Sequence, residues 1–182
     1  MNEQHTPVPA RRGIDRRSVV RAGVWTVPVV TLATAAPAFA AVSGPTKGTL
    51  RFDTLNLFGA DYDDKGKPTS LQSQVQVQNA YTAGGPTLTS LSLFVTYSDA
   101  RVDGDAPQAV TGTGWTSGSV TKTNGGWIYS FVWVGSLAAS QSTPQLSYKV
   151  PLKNNSSGNA DISAIASATG VQSATGSAST NL

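Results

Sequence analysis

The sequence predicts an all-β fold, an antiparallel sandwich of two sheets. Three observations predict it. From residue 49 onward, strand-like runs of about 6–10 residues recur, with apolar and polar residues alternating in the clearest of them. Each run is bounded by Gly, Pro, Asn or Asp, residues that end strands and favour turns. No apolar stripe of helical period and useful length interrupts the series.

The runs follow in order. Thr49–Phe58 carries Leu50 and Phe52 in one phase, then Leu55 and Leu57 one residue out of step, which predicts a bulge near Asp53-Thr54. Leu71–Asn79 sets Leu71, Ser73, Val75 and Val77 against Gln72, Gln74, Gln76 and Gln78, one packed side and one wet side. Leu88–Tyr97 places Leu91, Leu93, Val95 and Tyr97 on one face. A polar loop, 98–108, leads to short strands at Ala109–Thr113 and Ser119–Thr123. Asn124-Gly125-Gly126 predicts a tight hairpin turn, since Asn and Gly tolerate positive φ. Trp127–Val134, Gln145–Pro151 and Ala160–Ala168 complete the set, and residues 171–182, rich in Ser, Thr, Ala and Gly, form either a weak last strand or a flexible tail. Seven or eight short strands in about 130 residues predict a single immunoglobulin-like antiparallel β-sandwich over 49–170, with a small β-barrel as the structural alternative.

Charge and missing residue types narrow the function. The net charge is +3, yet residues 1–40 supply all of it: five arginines against Glu3 and Asp15. Residues 41–182 hold eight Lys or Arg and eight Asp, so that part has no footprint for nucleic acid or an anionic membrane. There is no cysteine, hence no disulfide framework and no lipid-anchoring cysteine. The single histidine, His5, and the single glutamate, Glu3, lie before residue 40. The remainder has no side chain that titrates near neutrality at its ordinary pKa.

Residues 1–40 predict a cleavable twin-arginine (Tat) signal peptide. Arg16-Arg17-Ser18-Val19-Val20-Arg21 has two adjacent arginines, a variable residue, two apolar residues and a base. The uncharged segment 22–36 follows, diluted by Gly, Pro and Thr. Ala38-Phe39-Ala40 then predicts signal peptidase cleavage between Ala40 and Ala41, and 41–48 is a linker. The alternative, a retained membrane helix, is opposed by Pro28 and Pro37 in a run only about long enough to span a bilayer. The expected partners are therefore the twin-arginine translocase and signal peptidase during export, with no stable membrane insertion after cleavage. The carboxyl end carries no sortase-like sequence, so free secretion or non-covalent wall association is expected.

Residues 127–150, centred on Gly135-Ser136-Leu137-Ala138-Ala139-Ser140, and Val75-Gln76-Val77-Gln78-Asn79 resemble the immunoglobulin-like repeats of secreted actinobacterial proteins. Such domains often read G-x-L-A-A-G before a Thr/Val-rich strand, and Ser140 stands where glycine is usual. The resemblance implies the sandwich fold and an extracellular surface role, and no catalytic residues.

Two constellations carry candidate chemistry. Asp61, Asp63 and Asp64 follow the first run, and Asp99, Asp103 and Asp105 follow the third, so an up-and-down order brings both loops to one end. Calcium takes six to eight oxygen ligands, and 61–66 half-matches a calcium-loop pattern. Lys65 occupies its third ligand position, and Gln72 stands where a bidentate Glu belongs. Ordinary solvated turns, neutralised by Lys65, Lys67 and Arg101, are the alternative. Second, Trp127, Tyr129, Phe131 and Trp133 alternate along one strand and form a row on one face. Such a row is either a glycan-stacking platform or a core. Catalysis is poorly supported: a serine triad lacks its imidazole, zinc lacks His and Cys, and the aspartates sit in polar loops rather than a dry pocket. Gly114-Trp115-Thr116-Ser117-Gly118 only loosely matches a nucleophile elbow, with no helix after it. The expectation is a non-enzymatic cell-surface or extracellular structural or adhesive module that meets a surface protein or polysaccharide. A carbohydrate-binding module is the alternative, and a small Asp-dependent hydrolase the remote one.

Overall fold

A computed structural model describes residues 48–81, 84–98, 101–153 and 158–182. The residues expected to form a leader and its cleavage site, Arg16, Arg17, Val19, Val20, Arg21, Ala38, Ala40 and Ala41, lie outside the described residues, as does Asp99. The described residues form nine strands: β1 (Leu50–Tyr62), β2 (Pro68–Asn79), β3 (Leu88–Tyr97), β4 (Gln108–Thr111), β5 (Trp115–Thr123), β6 (Gly126–Leu137), β7 (Leu146–Pro151), β8 (Asn159–Ser167) and β9 (Ala174–Asn181). They pair antiparallel in two sheets, in the orders β1-β2-β7-β4 and β5-β6-β3-β8-β9. The immunoglobulin-like sandwich expected from the alternation is the fold.

The alternation converts directly into burial. In β2, Leu71, Val75 and Val77 are fully buried, while the four glutamines that alternate with this face lie half-buried on the outer one. Glutamine can hydrogen-bond in that plane: the Gln72 amide donates to the Ser147 hydroxyl at 3.0 Å, and the Gln145 amide to Gln74 Oε1 at 3.3 Å. The register of β1 against β2 shifts between Phe52 and Thr54, the bulge that the phase change predicts.

The residues after 170 take the ordered course of the two open to them. β9 pairs with β8 without a shift from Ala174↔Ala166 to Asn181↔Asn159. A run of Ser, Thr, Ala and Gly has little strand propensity of its own. Here the ready-made edge of β8 supplies the partners.

Two turns are settled by backbone chirality. At the β5–β6 hairpin the positive φ falls on Gly126, at 142°, rather than on Asn124. A Cβ there would stand 1.8 Å from the Tyr97 carbonyl oxygen, whereas Gly125 meets nothing within 4 Å. Ser140 has φ 64°, the left-handed region that glycine adopts freely. It is held there by the hydrogen bond from its N–H to the Asn79 carbonyl at 2.7 Å and from its hydroxyl to the Tyr81 carbonyl at 3.0 Å.

These geometries predict unequal effects at two adjacent glycines. Gly126→Ala lowers unfolding stability by about 3 kcal/mol, the upper range for backbone strain plus a steric clash. Gly125→Ala changes it by less than about 0.5 kcal/mol. Urea titration of the three proteins checks this, and equal losses at both positions refute the assignment of the turn.

Candidate functional site

The end of the sandwich that holds the β1–β2 loop also holds the loop after β3. Ser70 in β2 stands opposite Pro151 in β7, and the Asp103 N–H donates to the Pro151 carbonyl at 3.1 Å. The two acidic loops therefore emerge at one end, yet their aspartates are occupied separately. Asp61 accepts from Lys149 at 2.5 Å and from the Ser70 hydroxyl at 2.6 Å. The Lys149 bond, then the Ser70 bond, hold its carboxyl below the usual carboxylate range. Asp63 serves its own turn, where its Oδ1 accepts from the Lys65 and Lys67 N–H groups at 2.9 and 2.8 Å. Asp64 lies exposed in that turn. Asp103 sits 3.9 Å from the Lys153 ammonium, and Asp105 is exposed two residues on. Among the described residues no group of three or more carboxylates gathers at metal-binding spacing. Asp61, Asp63, Asp64, Asp103 and Asp105 thus share a rim without forming one ligand set. Lys149 and Lys153, rather than Lys65 or Lys67, are the cations that bond two of them.

The aromatic row on β6 points into the core. Tyr129 and Phe131 are fully buried, and Trp133 is 4% exposed. Its indole N–H donates to the Thr113 carbonyl at 3.2 Å, and that of Trp115 to the Pro144 carbonyl at 2.8 Å. Trp127, at the end of the row, is half-buried. Gly104 lies against one part of its ring, where a Cβ would come within 2.3 Å, and the Lys122 ammonium stands 5.7 Å from its centroid. The glycan platform of Trp127, Tyr129, Phe131 and Trp133 is thereby corrected: a row of stacked sugars needs free ring faces, and Tyr129, Phe131 and Trp133 are covered by protein, leaving only Trp127 partly exposed at the end. A strand with apolar residues on both sides does not reveal from sequence which side faces the other sheet.

At the centre, three phenols and a serine meet. Ser73 Oγ and the Tyr97 hydroxyl share a 2.6 Å hydrogen bond, and the Tyr97 hydroxyl donates to that of Tyr148 at 3.1 Å. All three side chains are fully buried. Burial raises Tyr97 and Tyr148 well above the ordinary phenol pKa. Tyr129 packs edge-on against Tyr97 at 5.3 Å, and its hydroxyl has no partner. Burial, with the Asp105 and Asp103 charges adding to it, pushes Tyr129 up to about 12. A phenol so buried, with no water access, is a poor proton-transfer group at neutral pH.

Solvent meets a different set of side chains. Phe58, 43% exposed, stands on the outer face of β1 opposite Gln72, with Asn56 opposite Gln74 beside it. Tyr62 is 64% exposed, and its hydroxyl donates to the Gly59 carbonyl at 3.1 Å. On the outer face of the other sheet, Val132 and Val134 are 40% and 63% exposed. The reading of candidate sites from sequence missed Phe58 and Tyr62. The signal was the phase change at Asp53-Thr54, which turns Leu57 inward and Phe58 outward.

No protein-family model matches this sequence, and no curated protein does. Similar solved structures include a cohesin module from a Clostridium perfringens family 33 glycoside hydrolase, at 10% identity, TM-score 0.49, covering 75% of this chain and 97% of that one. A non-cellulosomal cohesin from Archaeoglobus fulgidus is similar at 12% identity, TM-score 0.39, covering 72% and 90%. The collagen-binding domain of a Staphylococcus aureus adhesin is similar at 11% identity, TM-score 0.36, covering 75% and 99%.

The core assignment predicts that Trp133→Ala costs about 3–5 kcal/mol of stability. Tyr129→Phe does the reverse, adding about 1 kcal/mol by removing an unpaired buried hydroxyl. The alkaline limb follows from the raised phenols. The folded state holds their protons where the unfolded state, near pKa 10, releases them, so stability is full below about pH 10. It falls as pH rises toward about 12, the Tyr129 value. Melting temperature against pH for both variants checks all three statements, and a destabilised Tyr129→Phe refutes the unpaired hydroxyl.

Proposed function

We propose that this chain is an exported, non-enzymatic binding module, acting at the cell surface or outside the cell in a structural or adhesive role. The observation that carries this reading is the division of polar groups. The buried phenols lie inside the sandwich with raised pKa, and two of the rim aspartates pair with lysines. What remains available is broad sheet surface. Across β6, β3, β8 and β9, Asp161 is the one charged residue in outward register among the described residues. Extended neutral surface suits binding by area, and a catalyst needs a poised acid or base. No described helix is long and apolar enough to cross a membrane. The twin-arginine leader, cleaved after Ala40, supports export.

A second reading has its own observation. Phe58 lies exposed among the amides of Asn56, Gln72 and Gln74. A free ring bordered by neutral donors and acceptors is chemistry that holds a neutral polysaccharide. The carbohydrate-binding alternative therefore moves from β6 to the outer face of β1 and β2.

Two experiments test these readings. Replacing Arg16 and Arg17 together by lysine abolishes export, measured as protein in the culture medium. Unchanged export refutes the leader. Purified protein is then sedimented with bacterial cell walls and with insoluble neutral polysaccharides. Co-sedimentation without release of soluble sugar is expected, and sugar release overturns the non-enzymatic reading. Phe58→Ala, with an unchanged melting temperature, weakens polysaccharide binding at least about tenfold if the second reading holds, as loss of a stacked ring does at about 1.5 kcal/mol.

A further inference from the structure

An asparagine followed by glycine can react with itself. The side-chain carbonyl carbon of the asparagine lies one peptide bond from the glycine nitrogen, so attack closes a five-membered ring, and proximity favours it. Glycine adds no side chain to hinder the approach and leaves the backbone free to reach it. Asn124-Gly125 is the one such pair in the sequence. It forms the tip of the β5–β6 hairpin, where the ladder closes at Thr123↔Gly126.

The structure leaves this pair open and closes its competitors. Asn124 and Gly125 are both exposed, and a Cβ on Gly125 would meet nothing within 4 Å. The Gly125 N–H makes no hydrogen bond among the described residues, and neither does the Asn124 amide. Neither residue is held in the left-handed region, which falls to Gly126 at φ 142°. Asn79, by contrast, is fully buried, and its amide donates to the Pro86 and Leu137 carbonyls. The nitrogen that would attack it, the Ala80 N–H, donates to the Thr49 carbonyl at 2.9 Å. Asn56 and the Leu57 that follows it are paired within the β1–β2 ladder. Asp103-Gly104 is the related acidic pair. There the Asp103 carboxylate faces the Lys153 ammonium at 3.9 Å, and Gly104 is packed against the Trp127 ring, where a Cβ would come within 2.3 Å.

We propose that Asn124 is a self-modification site, converted in the folded protein to a mixture of aspartate and isoaspartate through attack by the Gly125 nitrogen. The Gly125 amide gives its proton to solvent base, and its nitrogen bonds to Cγ of Asn124. The Cγ–Nδ2 bond breaks and Nδ2 leaves as ammonia, which leaves a succinimide ring. Water then opens the ring. Cleavage of the new bond to Cγ gives aspartate, and cleavage of the bond to the main-chain carbonyl carbon gives isoaspartate. Either product adds a carboxylate, and residues 41–182, balanced at eight cations and eight aspartates, become net negative. Isoaspartate also adds one atom to the backbone. A two-residue tip has no slack for it, so the Thr123↔Gly126 closure is disturbed. β5 is the element that gives, because it is an edge strand whose register already shifts between Ser117 and Val120. The hairpin thus carries a slow change of charge and order with the age of the molecule. The reaction needs no ligand and proceeds whatever the module binds.

Purified protein, held folded at mildly alkaline pH, is expected to accumulate an acidic form on ion exchange that is one mass unit heavier. Ammonia is released in step with it, and peptide mapping places the change at residue 124. Conversion slows at mildly acidic pH, where fewer Gly125 amides lose their proton. Gly125→Ala slows it at least about tenfold, since a Cβ beside the attacking nitrogen restricts its approach. Asn124→Gln blocks the five-membered ring without touching the glycine, and it decides the matter if the alanine variant fails to fold. Amide hydrogen exchange at Val120 and Thr121 is faster in the isoaspartate form. Conversion only after unfolding in urea overturns the inference, because the folded tip is then closed to the reaction. So does conversion placed at Asn56 or Asn79, or an unchanged rate in both variants. Unchanged exchange in the isoaspartate form overturns the loosening of β5.

Discussion

The structure depends on how the two sheets are held together without a covalent tie. The chain has no cysteine, so the link is aromatic. Tyr97, Tyr129 and Phe131 project from the five-stranded sheet and Tyr148 from the other, with Phe131 and Tyr148 ring centres 4.4 Å apart. Large rings bury much apolar area and fill the gap between layers. Their hydroxyls would be costly there unless bonded, and the Ser73–Tyr97–Tyr148 chain meets that cost for two of the three. This requirement commits β6 to face inward. The rings that look most like a binding platform are therefore the ones the fold can least release.

The same commitment shapes the surface. With most aromatic mass drawn inward, the outer faces are left to glutamine with Phe58 on one sheet, and to Ser, Thr and aliphatic residues with Phe94 on the other. Most of the charge lies in the loops, on β1 and at Lys149 of β7, where opposite signs find each other: Arg51 with Asp53, Lys149 with Asp61, Lys153 with Asp103. Exposed pairs of this kind add little stability. Their effect is local, since they engage carboxylates that sequence proximity alone offers to a metal. At the opposite end Asn79 ties β2 to its neighbours, its side-chain amide donating to the Pro86 and Leu137 carbonyls at 2.9 and 3.2 Å.

What could be read in the residues was local periodicity. Alternation in Leu71–Asn79 and Leu88–Tyr97 located β2 and β3, the latter to the residue, because one packed face and one wet face leave a period-two record. Asn124-Gly125-Gly126 located a hairpin, since few residues accept the required backbone. The phase change at Asp53-Thr54 recorded a bulge. β9 left no such record, because its small polar residues form a strand only when β8 presents an edge. The candidate sites were less readable for a related reason. Spacing tells which residues share a face, and it does not tell which face the second sheet covers.

The sequence by itself determined the all-β class, most strand positions, the lack of thiol and the lack of imidazole after residue 40. These are properties of residue type and of near neighbours along the chain. The tertiary structure alone decided that the β6 row is core, that Phe58 is exposed, and that Lys149 reaches Asp61 across 88 positions. It also decided that β9 ends its sheet with β1 of the other sheet close beside it. Each of these turns on which strands lie side by side and which faces meet, and pairing between strands distant in sequence is set by the packing of the whole domain.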